Sequence, residues 1–135
     1  MNKLLTILCA SAVLLALSIA FERARMRRFW GRTCMGREWR RRFPKAPKAD
    51  IREFLDLFIA AFGFGESRRL RFSPGDRVME VYRALYPFPK MMADSMELES
   101  FITRVQERYG VDLLPLWRED VTLGELFAYA RTDLA

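Results

Sequence analysis

Ser95 is the residue whose type and place best suit covalent chemistry: it follows Asp94 at the head of a run, Asp94 to Gly110, with helical periodicity. In the first turn of a helix, the positive end of the macrodipole favours a phosphate ester on a hydroxyl. The same two residues equally suit simple capping of orphan backbone N–H groups, worth about 1 kcal/mol. Other chemistries are hard to build. The chain has no histidine, so no histidine triad, metal ligand or general base exists. Two separated cysteines, Cys9 and Cys34, cannot make a structural zinc site and read as free thiols. Gly63-Phe64-Gly65 lacks the third glycine, the preceding strand and the Lys-Ser/Thr of phosphate-binding loops. Glu97, Glu99, Glu107, Asp112, Glu119 and Asp120 suit solvated helix faces better than a catalytic pair. The chain reads as a non-enzyme that binds no metal.

The element that positions Ser95 has a marked start, period and stop. Leu98, Phe101, Ile102, Val105 and Tyr109 fall on one apolar stripe, and Glu97, Arg104, Glu107 and Arg108 face away from it. Asp94 with Glu97 forms a capping pair, and Gly110 followed by Val111 supplies a left-handed stop. Upstream, Asp50 with Glu53 opens a helix carrying Ile51, Phe54, Leu55, Phe58, Ile59 and Phe62, ended by Gly63 and Gly65. Residues 66–72 read as a polar loop. Ser73 then reads as an N-cap with Pro74 at the first helical position, leading to Val78, Val81, Tyr82 and Leu85 before Pro87 and Pro89. A short element surrounds Pro115, and Thr122 with Glu125 caps a last helix over 123–131. Nothing alternates with period two. Residues 50–135 are therefore expected to be an all-α bundle of three main helices plus short ones, with Phe54, Phe58, Phe62, Val81, Leu98, Phe101, Ile102, Val105, Leu123, Leu126 and Phe127 in its core.

An Asp-Ser pair and a large apolar residue opening an amphipathic helix, which closes on an aromatic, a glycine and Val111-Asp112-Leu113, resembles the second helix of acyl carrier proteins. The helix order extends the resemblance over about residues 50–131. It implies that Ser95, preceded by Asp94, carries a 4′-phosphopantetheine arm, and that the same helix recognises partner proteins through Met96, Glu97 and Glu107. Met96 stands where the family has Leu, Glu99 where it has an apolar residue, and Ser100 where it has Glu. Two functions therefore stay open: a non-catalytic interaction module with the carrier fold, or a true carrier. Residues 94–135 hold 9 acids against 4 Lys and Arg, so either favours a partner with a basic patch.

The first half differs in kind. Residues 1–50 carry 12 Lys and Arg against 3 acids, a net +9, whereas residues 51–135 carry 11 against 14, a net −3. Leu4 to Phe21 holds no charge, and as a helix it extends roughly 27 Å, close to the ~30 Å hydrocarbon thickness. Residues 1–21 thus read as a transmembrane anchor, 22–49 as a basic juxtamembrane linker with Phe29, Trp30 and Trp39 in the headgroup region, and 50–135 as the helical domain. Arg23, Arg25, Arg27 and Arg28 are expected to meet anionic headgroups, which makes the positive charge a membrane address rather than a nucleic-acid site. Their excess over Lys3 predicts an inner-membrane protein with its N-terminus outside and its domain in the cytoplasm. The alternative is a secreted protein whose signal peptide is cleaved near Ser18-Ile19-Ala20.

Overall fold

Proline and glycine punctuation decides where the helices of this chain begin and end. The computed structural model describes residues 2–85 and 96–132, the Glu22 side chain excepted. Its α-helices are α1 (Asn2–Trp30), α2 (Gly36–Arg42), α3 (Lys48–Phe62), α4 (Val78–Leu85), α5 (Met96–Tyr109) and α6 (Leu123–Ala130), with 3₁₀ turns at Glu66–Arg71 and Leu114–Leu116. The architecture is all-α, as expected, and no strand occurs among the described residues.

Helix α3 stops at Gly63, whose φ of 74° is the left-handed conformation glycine tolerates. The Phe64 N–H then donates to the Ile59 carbonyl at 2.8 Å, and the Phe64 ring turns back onto Phe62. Helix α5 ends the same way at Gly110, with φ 68° and its N–H on the Gln106 carbonyl at 2.8 Å. Thr122 Oγ1 accepts from the Glu125 N–H at 3.2 Å and caps α6. Two expected caps are not made. Pro47 takes the N-cap position of α3 and offers no side-chain oxygen, so Asp50 and Glu53 turn instead to Arg131 and Arg108. Ser73 heads a turn, not a helix, and α4 begins five residues later at Val78.

The core is aromatic, and α3 runs through its middle. Phe54 meets Phe101 of α5 at 5.9 Å and Phe127 of α6 at 5.4 Å, while Phe58 meets Phe101 at 5.3 Å and Phe72 at 5.0 Å. Edge-to-face rings at such distances add to the burial term. Of the expected core residues, only Ile102 is half-buried instead of buried. The expected polar loop at 66–72 is a 3₁₀ turn delivering the fully buried Phe72.

The main correction concerns residues 22–49. Helix α1 does not end at the apolar run but continues to Trp30, and Met26 and Phe29, three residues apart on one face, are only 1% exposed. Phe29 packs on Phe72 at 5.6 Å and Trp30 on Phe64 at 5.1 Å. Trp39, on α2, is fully buried, and its Nε1 donates to the Phe72 carbonyl at 2.8 Å. These aromatics belong to the protein core and not to a headgroup layer, because the core of α3, α5 and α6 needs a lid that α1 and α2 supply. The N-terminal part of α1 is exposed along its length and is long and apolar enough to cross a membrane. Two of its three hydroxyls are satisfied locally, Thr6 on the Asn2 carbonyl and Ser11 on the Ile7 carbonyl, both at 2.8 Å.

Burying a side chain the size of Met, Phe or Trp stabilises by about 1.5–3 kcal/mol, and a small domain has only about 5–15 kcal/mol in total. A fragment starting at Ile51 loses Met26, Phe29 and Trp39 together and is expected to show no cooperative thermal transition by circular dichroism. A fragment starting at Arg23 is expected to unfold cooperatively. Cooperative unfolding of the shorter fragment would show that α1 and α2 are not part of the folding unit.

Candidate functional site

Opposite its buried stripe of Leu98, Phe101 and Val105, α5 presents Met96, Glu99, Ser100, Thr103, Arg104 and Glu107, which line an open groove of about 480 Å³. Met96 is 64% exposed, an unusual place for a large apolar side chain. Glu107 is exposed and has no ion-pair partner among the described residues, and Arg104 donates to Ser100 Oγ at 3.2 Å. Glu97 is half-buried on the flank of this face. Ser95 and Asp94 lie outside the described residues, so the structure brings together Met96, Glu97 and Glu107 of the expected site and leaves those two unplaced.

The acid surplus of residues 94–135 is not one open patch. Glu119 pairs with Arg83, Asp120 and Glu125 both pair with Arg118, and Asp112 accepts from Gln106 Nε2 at 2.9 Å and the Leu114 N–H at 3.0 Å. Internal pairing thus takes up the acids that follow α5. Of the arginines expected at headgroups, Arg28 meets Glu80 at 3.1 Å and Arg25 lies over the Phe21 ring.

Sequence reasoning missed the most buried charge. Asp76, only 4% exposed, accepts from Arg32 through both oxygens, at 2.6 and 2.8 Å, and from the Ser73 N–H at 2.7 Å. Arg32 lies over the Phe29 ring, and its carbonyl accepts from Arg71. The pair ties the end of α1 to the turn before α4. An acid three residues after Ser73 resembles a helix cap, which is what hid it.

A second polar seam joins α3, α5 and α6. Arg131 meets Asp50 at 2.7 Å, and Arg108 holds Glu53 through two nitrogens, one at 3.0 Å. Beside it the Tyr109 hydroxyl is buried without a hydrogen-bond partner among the described residues. Burial, reinforced by the Glu53 carboxylate, pushes this phenol up to about 12.

No cluster of three or more metal-ligating side chains occurs among the described residues, and both cysteines are exposed. Comparison with protein families, curated proteins and solved structures finds no match to this chain.

Two outcomes are expected, both measured on the fragment starting at Arg23. Arg32→Ala strands a buried carboxylate, so it should lower stability by about 3–5 kcal/mol in urea unfolding, and Arg32→Met with Asp76→Leu should lose less. A loss under about 1 kcal/mol from Arg32→Ala would make this an ordinary surface pair. Tyr109 in the unfolded chain ionises near pH 10 and in the folded chain near 12. Its contribution is therefore intact below pH 10 and lost as pH rises from 10 to 12. Tyr109→Phe should be neutral at pH 7 and flatten that alkaline limb; an unchanged limb would assign it to other groups.

Proposed function

We propose that this chain is a membrane-anchored, non-catalytic helical module that docks a partner protein bearing a basic patch through the outward face of α5. The observation that carries this reading is the α5 groove, where an exposed apolar anchor, Met96, stands at one end and Glu99 and Glu107 follow at helical spacing. An apolar side chain ringed by charge is the composition of a recognition surface: the apolar group supplies affinity, the acids supply orientation and encounter rate. The anchor is the N-terminal part of α1, with the N-terminus outside and the bundle in the cytoplasm. The run of arginines after Phe21 supports this orientation. Continuity of α1 through Ser18-Ile19-Ala20 and into the core supports an uncleaved anchor over a signal peptide.

A second reading keeps the same fold and adds chemistry. In it Ser95, with Asp94 before it, carries 4′-phosphopantetheine, and the module is a true carrier working at the bilayer. It is favoured by the exposed Met96, the residue next to Ser95, since carrier recognition needs an accessible surface around the attachment point.

A photo-crosslinking residue at Met96 is expected to trap one basic-patched protein in cells. Glu99→Lys with Glu107→Lys should abolish the crosslink while leaving the thermal midpoint within a few degrees, and persistence of the crosslink would refute docking by this face. Co-expression with a phosphopantetheinyl transferase is expected to leave the intact mass unchanged. A mass gain present in the wild type and absent in Ser95→Ala would establish the carrier instead.

A further inference from the structure

Eight arginines, Arg28, Arg32, Arg69, Arg77, Arg83, Arg108, Arg118 and Arg131, pair with carboxylates across or within the bundle. A group of cations at one cleft does not. Arg37 and Arg40 of α2 and Lys48 and Arg52 of α3 surround a cleft of about 220 Å³, and none of the four has an ion-pair partner among the described residues. The wall between them is apolar: Leu70, Cys34 and the stems of the four cationic side chains line it, over the buried Trp39 and Ile51.

Four like charges on side chains that line one cleft offer each other no attraction. The acids beside them in sequence do not supply it. Glu38 faces Arg41 at 3.4 Å, and Asp50 faces Arg131 at 2.7 Å. Lys48 adds a second local conflict, since it occupies the first turn of α3, the positive end of that helix, behind a Pro47 cap that offers no side-chain oxygen. Local rules broken without a structural gain mark a binding site. An anion removes both conflicts at once, and guanidinium groups match phosphate oxygens two at a time. The volume equals that of roughly seven waters, room for a headgroup and the first carbons of a chain but not for a whole lipid.

We infer that this α2–α3 cleft binds a phosphate carried on an apolar chain, with the phosphate on Arg37, Arg40, Lys48 and Arg52 and the first carbons against Leu70 and the stems of those side chains. The source of that phosphate is the bilayer in which α1 is anchored. Met26 is five residues past Phe21, about 7.5 Å along the helix, so the bundle packs at the end of the span where headgroups are concentrated. The site is distinct from the α5 face and does not depend on it.

Full-length protein with Cys9→Ser, solubilised in a neutral maltoside detergent, takes an environment-sensitive fluorophore on Cys34 at the rim of the cleft. Titration with dioctanoyl phosphatidylglycerol is expected to saturate. Affinity should fall tenfold or more in Arg37→Gln with Arg52→Gln, whose thermal midpoint should not move because neither residue is paired. Arg23→Gln with Arg27→Gln should bind as the parent does. Octyl phosphate separates the sources: weaker binding than the lipid supports the bilayer, and tighter binding supports the cleft but assigns it a soluble amphiphile. Equal affinity for phosphatidylcholine would overturn the charge argument, and equal affinity for inorganic phosphate would overturn the role of the apolar wall. Equal affinities in the two arginine variants would overturn the assignment of the cleft.

Discussion

A carboxylate that cannot reach water must find a cation, and in this protein Asp76 finds Arg32. Stripping an ion of water costs several kcal/mol even after relaxation, so an unpaired Asp76 would consume a large share of a small domain's stability. The two bonds of 2.6 and 2.8 Å therefore constrain more than their own neighbourhood. Arg32 must sit two residues past the end of α1, which fixes where that helix meets the bundle. The Asp76 carbonyl accepts from the Leu123 N–H at 2.9 Å, and the Val78 N–H donates to the Val121 carbonyl at 3.1 Å, so the starts of α4 and α6 are stitched to the same turn. Gly124 is part of that stitching. Its N–H reaches the Pro74 carbonyl at 2.8 Å, and a Cβ there would lie 2.8 Å from the same oxygen.

It follows that the apolar helix is not a tether on a loose linker. Met26 and Phe29 lie on one face of α1 and Arg32 follows just past its end, the first two in the apolar core and the third at its polar edge. Any tilt of α1 would have to move Phe29 against Phe72 and Arg32 against Asp76 together, and close-packed interiors resist such displacement. Orientation of the apolar helix and orientation of the bundle are in this way one variable.

The helices α3 and α5 are legible in the residues because a half-buried helix writes its period into the sequence, and the glycines at 63 and 110 state where each period ends. Thr122 is legible for the same reason: its role is local. What stays hidden is non-local. Trp39 among the four arginines of 37–42 looks like an interfacial residue, and its burial and its bond to the Phe72 carbonyl, 33 residues away, show otherwise. Met26 and Phe29 are masked by Arg23, Arg25, Arg27 and Arg28, since the cations between and around them hide that one face of the helix is apolar. The α5 face was readable as the complement of its stripe. The basic cleft was not, because its cations come from two helices that only the fold brings together.

Charge shows the same separation of local from tertiary information. Along the chain the protein divides into a basic half and an acidic half, which suggests two oppositely charged objects. In three dimensions the halves cancel across their contacts: Arg28 with Glu80, Arg32 with Asp76, and Asp50 with Arg131 each join residues from opposite sides of that division. Of these, the exposed Arg28–Glu80 pair contributes under about 1 kcal/mol, so surface pairing does not explain the fold. Their consequence is subtractive. Once paired groups are removed from consideration, the net +6 of the chain resolves into a few surfaces whose charge the protein itself leaves unanswered, the α2–α3 cations foremost among them. A charge that folding does not use and burial does not hide is available to something outside the chain, and the position of those groups, not the pI, is what constrains the partner's chemistry.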